Sequence, residues 1–113
     1  MSYKIVIYKI LARTDWENPE PLYPGSADDR RDGFIHLSTQ TQLPGTLARH
    51  FAGQSDLILV AFDAAALGLT LKWEHAPKRG EDFPHLYAPL PKTAALWARA
   101  IAPGPDGRLT LPL

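Results

Sequence analysis

Two of the four histidines in this 113-residue chain lie in extended apolar stretches next to hydroxyl-bearing residues: His36 in "DGFIHLST" and His85 in "FPHLYAPLP". An imidazole titrates near neutral pH, so either ring could serve as an acid or base or fix a polar ligand. Alternation through "FIHLS" puts Ile35 and Leu37 on one face and Phe34, His36 and Ser38 on the other. A helix start expected just beyond would bring unpaired N–H groups and a positive dipole end to His36, a setting for an anionic or carbonyl ligand. The plainer alternative is a half-buried histidine bonded to a backbone carbonyl, with Ser38 only a helix cap.

In the second stretch, His85 and Tyr87 share one side of an extended segment near the acidic turn Glu81-Asp82. Together they offer a titratable base and a planar hydrogen-bonding surface, a common inventory in small-molecule sites. Otherwise Tyr87 packs at a rim and His85 faces solvent. A third group, Lys72, Glu74 and His75 in "KWEH", contains a carboxylate that could be catalytic, although alternating strands also carry charge on their solvated faces. His36, His75, His85 and Glu74 are residue types that suit zinc, but no histidine pair has the i, i+4 spacing of a helical zinc motif, so no metal is expected. Arg30 and Arg31 are offset by Asp28, Asp29 and Asp32, which reads as a solvated loop rather than a phosphate clamp.

The elements that must position these groups follow from periodicity. "YKIVIYKIL" is β-branched and aromatic with apolar residues on both faces, as in an inner strand. The following excursion, rich in proline and glycine, leaves room only for a short helix around Asp15 to Asn18. Its aromatic residues Trp16 and Tyr23 suggest use in binding. After "FIHLS", a cap at Ser38 or Thr39, Pro44 in the first turn, an apolar stripe of Leu43, Leu47 and Phe51, and Gly53 as a stop predict the main helix. "DLILVAFD" is apolar at every interior position and should be a central strand. "LTLKWEHA" alternates, with Leu69, Leu71, Trp73 and His75 on one side. The prolines of "FPHLYAPLP" confine it to an edge or an ordered loop. "TAALWARAIA" and "RLTLPL", joined by "PGPDG", read as a strand hairpin.

These elements make an α+β fold with a mostly antiparallel sheet and one main helix. A chain of this length with 45% hydrophobic residues is expected to form a single domain, 1–113, around one core. Twelve basic and twelve acidic residues balance, so the footprint of a nucleic-acid binder is absent. No stretch reaches the roughly 20 apolar residues that span a bilayer. The lack of cysteine fits a reducing cytoplasm. No G-x-G-x-x-G or P-loop pattern occurs, which disfavours Rossmann and P-loop folds.

Taken together, "DGFIHLST", "QLPGTLARHFAG", "LKWE" and "FPHLYAPLP" resemble the small bacterial family known as domain of unknown function 952, over essentially the whole chain. The resemblance implies an ADP-ribosyltransferase-like fold, a split α+β arrangement of two small sheets around a cleft that holds NAD in true transferases. It implies that His36 and Ser38 contact the nicotinamide-side ribose and that Tyr87 stacks on the nicotinamide. His85, Trp16 and Tyr23 would line the rest of the cleft. The chain departs from the transferase pattern in having no carboxylate at the place of the late catalytic glutamate, because Glu74 precedes "FPHLYAPLP". The expected function is therefore binding of, or action on, NAD or a related nucleotide, through His36, Tyr87 and Glu74 if catalytic. The alternative is a non-catalytic module that keeps the fold and binds a metabolite or a protein partner.

Overall fold

The computed structural model describes residues 4–113; Tyr3, the first residue of the expected opening strand, lies outside them. Strand β1 (Val6–Ala12) leads into a short helix α1 (Arg13–Glu17), strand β2 (Leu22–Tyr23), helix α2 (Ala27–Asp32) and strand β3 (Ile35–His36). A 3₁₀ turn over Gln40–Gln42 opens helix α3 (Leu43–His50), followed by β4 (Leu57–Asp63) and a 3₁₀ segment over Ala64–Thr70. The remaining strands are β5 (Leu71–Ala76), β6 (Glu81–Leu86), β7 (Leu90–Pro91), β8 (Ala95–Pro103) and β9 (Leu109–Thr110).

The strands form three sheets: β1-β4-β8-β9, β3-β6-β5 and the small pair β2-β7. Every pairing between them is antiparallel. The fold is thus α+β, with mostly antiparallel sheets and few helices. β4 is central, as its uninterrupted apolar run requires, and all residues from Leu57 to Phe62 are buried. Its two faces feed two cores. Ile58, Val60 and Phe62 join Ile7, Leu11, Ile35 and Leu86 on one side, while Leu57, Leu59 and Ala61 meet Tyr8, Leu43 and Ile101 on the other.

Several local expectations change. β1 is an outer strand of its sheet, not an inner one, yet its free edge is covered. Tyr8 and Ser38 exchange backbone hydrogen bonds of 2.8 and 2.9 Å, which couple β1 to the segment that carries His36. β6 is the middle strand of its sheet despite Pro84. The Pro84 carbonyl accepts from the Leu37 N–H, so the proline nitrogen faces the same side, just past the end of β3, where no ladder donor is needed. β5 begins at Leu71 rather than Leu69. As an edge strand it leaves Trp73 exposed, as Leu69 before it is, so of the apolar side chains on that face of "LTLKWEHA" Leu71 packs against the core.

A further change concerns the excursion after β1, which contains α2. Ser26 accepts from the Asp29 N–H and Asp29 returns a bond to the Ser26 N–H, a reciprocal capping box. Gly33, at φ 85°, closes the helix in the left-handed conformation that glycine adopts without a Cβ clash. The helix at the start of the excursion covers Arg13–Glu17, slightly earlier than expected. The main helix ends at His50, three residues short of Gly53.

Candidate functional site

The site begins with Lys9. In β1 the side chains of Ile7, Lys9 and Leu11 share one face, and that face looks toward the three-stranded sheet and α2. A lysine buried there must find an anion, because an unpaired charge in an apolar setting is costly. It meets Asp29, whose carboxylate is only 2% exposed, at 2.9 Å, and it donates to the His36 carbonyl at 2.9 Å. Asp29 also accepts from the His36 backbone N–H at 3.0 Å and from the Ser26 N–H at 2.9 Å.

The His36 ring completes this network. Its Nδ1 is 2.6 Å from Asp29 Oδ1, and its Nε2 is 3.0 Å from Asp32 Oδ2. Burial by itself would raise the Asp29 carboxyl, but the hydrogen bond from His36 and the charge of Lys9 outweigh it and hold the group well below the usual carboxylate range. An ionised Asp29 only accepts, so Nδ1 carries the hydrogen of that bond. Burial draws the Lys9 ammonium below its ordinary value, with the Asp29 charge opposing. Asp32 is held low chiefly by its hydrogen bond from Arg31, with His36 adding to the effect. His36 is 39% exposed, so its ring is a wall and not a core element.

That wall faces a cleft of about 180 Å³ between α2, α3 and the two larger sheets. Ser38 lies on it, buried, with Oγ 3.0 Å from Thr46 Oγ1 on α3. Arg79, in the turn between β5 and β6, reaches the same place and donates to Thr46 Oγ1 at 3.3 Å and to the Gln42 carbonyl at 3.2 Å. His85 closes the cleft next to His36, with ring centroids 5.6 Å apart.

His85 also belongs to a second constellation. Its Nδ1 is 2.9 Å from Glu74 Oε1, an oxygen that also accepts from the Tyr87 hydroxyl at 2.6 Å. The two strands place them there: Glu74 on β5 and His85 on β6 are diagonal neighbours, and Tyr87 follows β6. Phe34 stacks on His85 at 4.0 Å and touches the rings of His36 and Tyr87, so one aromatic spacer separates the two groups. The Tyr87 and His85 hydrogen bonds hold the Glu74 carboxyl below its ordinary value, and Glu74 in turn pushes the Tyr87 phenol up.

The structure therefore brings His36, Ser38 and His85 to one cleft and connects Glu74 to it through His85. Tyr87 faces a second recess bordered by Phe34, Leu86 and Pro89. Trp16 and Tyr23 do not border the main cleft. Trp16 packs edge-on against Phe62, and Tyr23 is buried in the same core, because the excursion folds back as β2 and α2 instead of standing free. The Tyr23 hydroxyl is buried without a partner among the described residues, and burial pushes its phenol up. The acidic turn proposed to lie beside His85 is not its partner: Asp82 contacts His75. Among the described residues no group of three His, Asp or Glu side chains is arranged to hold a metal.

Sequence reasoning missed Lys9, Asp29, Asp32 and Arg79. For Asp29 a signal existed, since Ser26-x-x-Asp29 followed by Gly33 is a capping box with a helix stop. Lys9, the single charge inside an apolar strand, was the other. Nothing local marks Arg79.

A small α+β protein with a polar cleft between antiparallel sheets is the class that this geometry defines. The chain belongs to the family described as protein of unknown function (DUF952), whose model matches residues 10–98. Among solved structures it is similar to the X-ray structure of protein CC0527 from Caulobacter crescentus, at 41% identity over 93% of both chains and a TM-score of 0.86. A double-mutant crystal structure of that protein matches at 40% identity, with the same coverage and TM-score. Its solution NMR structure matches at 42% identity over 91% of this chain and 90% of that one, with a TM-score of 0.79. No curated protein matches. No helix among the described residues is long and apolar enough to cross a membrane.

Proposed function

We propose that the cleft binds the sugar portion of NAD or a related nucleotide, with His36 and Ser38 on the ribose side. The observation that carries this reading is the His36 ring, held against Asp29 and Asp32 on the wall of an open cleft that also contains the Ser38 hydroxyl. Carboxylates and hydroxyls on one wall suit a polyhydroxyl ligand. A cleft of about 180 Å³ is smaller than the roughly 300–1,000 Å³ of most ligand pockets. It accommodates a ribose with a phosphate, and the rest of a nucleotide would extend past the Phe34 ring. Sheets meeting at a cleft, together with the family resemblance, support an ADP-ribosyltransferase-like fold. The lack of cysteine is compatible with a cytoplasmic protein.

In the catalytic form of this reading, positive charge develops at the ribose carbon as its bond to nicotinamide breaks, and the bonding pair leaves with the nicotinamide nitrogen. Asp32 supplies negative charge at that end of the cleft. His85, oriented by Glu74, takes the proton of the water or hydroxyl that attacks the ribose carbon. Tyr87 acts through Glu74. A non-catalytic binding module is the second reading, favoured by the engagement of both His36 ring nitrogens with carboxylates.

Chemical-shift mapping with NAD, ADP-ribose and nicotinamide, followed by an assay for released nicotinamide, tests the proposal. Saturable shifts at His36, Ser38 and His85 that weaken about tenfold in His36→Ala, the scale of one hydrogen bond to a charged group, are expected. Absence of shifts at millimolar ligand sinks the nucleotide reading. Binding without nicotinamide release decides for the module.

A further inference from the structure

The charged groups around the cleft are not evenly matched. On the α2 side, Asp29 is paired with Lys9 and in contact with His36, and Asp32 is paired with Arg31 and in contact with His36. Asp28 pairs with Arg31. On the α3 side stands Arg79, which among the described residues has no carboxylate partner. Its contacts are the Thr46 hydroxyl, the Gln42 carbonyl and the face of Phe83, whose centroid is 4.6 Å from the guanidinium carbon. Two long hydrogen bonds to neutral acceptors use two of five donors and neutralise no charge. Next to it, among the described residues, the Thr46 hydroxyl is bonded only to Ser38 and Arg79, and the Ser38 hydroxyl only to Thr46.

The chain also makes room for this guanidinium. A Cβ at Gly45 would lie 2.7 Å from an Arg79 terminal nitrogen, so only glycine lets the side chain lie across the first turn of α3. Gln42 fixes that turn against β6 by donating to the Asp82 carbonyl at 2.7 Å. The guanidinium is thus held from three directions, by Thr46, Gln42 and Phe83, with its charge unspent.

We propose that Arg79, with the Thr46 hydroxyl bonded to it, is the anchor for a phosphate group of the ligand. The planar fork of a guanidinium matches phosphate oxygens bidentately, and a hydroxyl next to it donates to the same oxygens. The cleft then has two unlike ends, carboxylates at α2 and a free cation at α3. That polarity selects a phosphorylated sugar with its hydroxyls toward Asp32 and its phosphate toward Arg79. This inference deepens the nucleotide reading and rests on it for the part of the ligand beyond the phosphate.

The test is an NMR titration of the whole protein, following backbone amides and the Arg79 Nε–H, with inorganic pyrophosphate, ADP-ribose and adenosine as probes. Pyrophosphate and ADP-ribose should shift Arg79 and Thr46 saturably, and adenosine should not. Arg79→Gln should weaken ADP-ribose by about 10- to 100-fold, the range for hydrogen bonds to a charged group, with Arg79→Lys in between. Gly45→Ala should approach Arg79→Gln, because displacing the flexible tip of Arg79 relieves its clash without disturbing the backbone. Its unchanged unfolding transition would exclude misfolding as the cause. If ADP-ribose and adenosine bind equally and Arg79→Gln changes nothing, the anchor is wrong while the nucleotide reading stands. Pyrophosphate binding at Arg79 without ADP-ribose binding supports the anchor and overturns the nucleotide reading. No shift at Arg79 with either phosphate probe overturns the anchor.

Discussion

Two carboxylate–histidine pairs lie on either side of Phe34, and they differ in what surrounds them. Asp29 and His36 form a pair whose acid is sealed from water and bonded to a buried lysine and two backbone N–H groups. Glu74 and His85 form a pair whose acid is 41% exposed and shared with a tyrosine that is 44% exposed. The same two residue types therefore do different work. The first pair holds β1, α2 and β3 together and sets the position of the His36 ring. The fold depends little on the second, which can orient His85 at small structural cost. Charges removed from water make strong, geometrically fixed contacts, whereas exposed ones are screened and adjustable.

The largest effect that can separate the two pairs is Asp29→Asn. It leaves the Lys9 ammonium buried without a counter-charge and should destabilise the protein by about 3–5 kcal/mol, the usual result of breaking a buried ion pair from one side. Chemical denaturation reads it, and a loss below about 1 kcal/mol, the level of a surface pair, would erase the contrast. Acid should show the same asymmetry. The Asp29 carboxyl is lower in the fold than in the unfolded chain, so its stabilisation is complete above about pH 4 and is lost as pH falls below that value. Unfolding midpoints measured against pH should drop more steeply in the parent protein than in Asp29→Asn. The smallest effect is Glu74→Gln, which should leave the unfolding transition in place. Because Glu74 raises the Tyr87 phenol, the substitution should return Tyr87 toward its ordinary value, as followed by the ring carbon signal of Tyr87. An unmoved Tyr87 titration would mean that the Glu74–Tyr87 contact is not formed in solution.

How far the site was legible depends on how far apart its members lie in sequence. The shared face of Phe34, His36 and Ser38 follows from the two-residue repeat of an extended segment, and in the structure Phe34 and His36 are in ring contact while Ile35 and Leu37 are buried. The central place of β4 follows from its unbroken apolar run. α2 was legible from Ser26, Asp29 and Gly33, but the run of charges around Arg30 masked it, since a charged stretch and a solvated loop look alike without a cap reading. Trp16 and Tyr23 mislead because aromatic residues in a loop-like stretch suit a binding wall and a core equally well. The inner position of β6 was hidden by Pro84, whose missing donor costs nothing only because β3 ends opposite it.

By itself, the sequence determined which residues were available for chemistry and which of them face the same way within one strand, because side-chain direction along a strand is a local property of the backbone. Only the tertiary structure decided that Lys9 reaches Asp29 across twenty residues, that Glu74 meets His85 across eleven and that Arg79 reaches Thr46 across thirty-three. Those meetings depend on sheet pairing and on how the sheets close over α2 and α3. The chain settles them through the summed burial of many apolar side chains rather than through any short stretch.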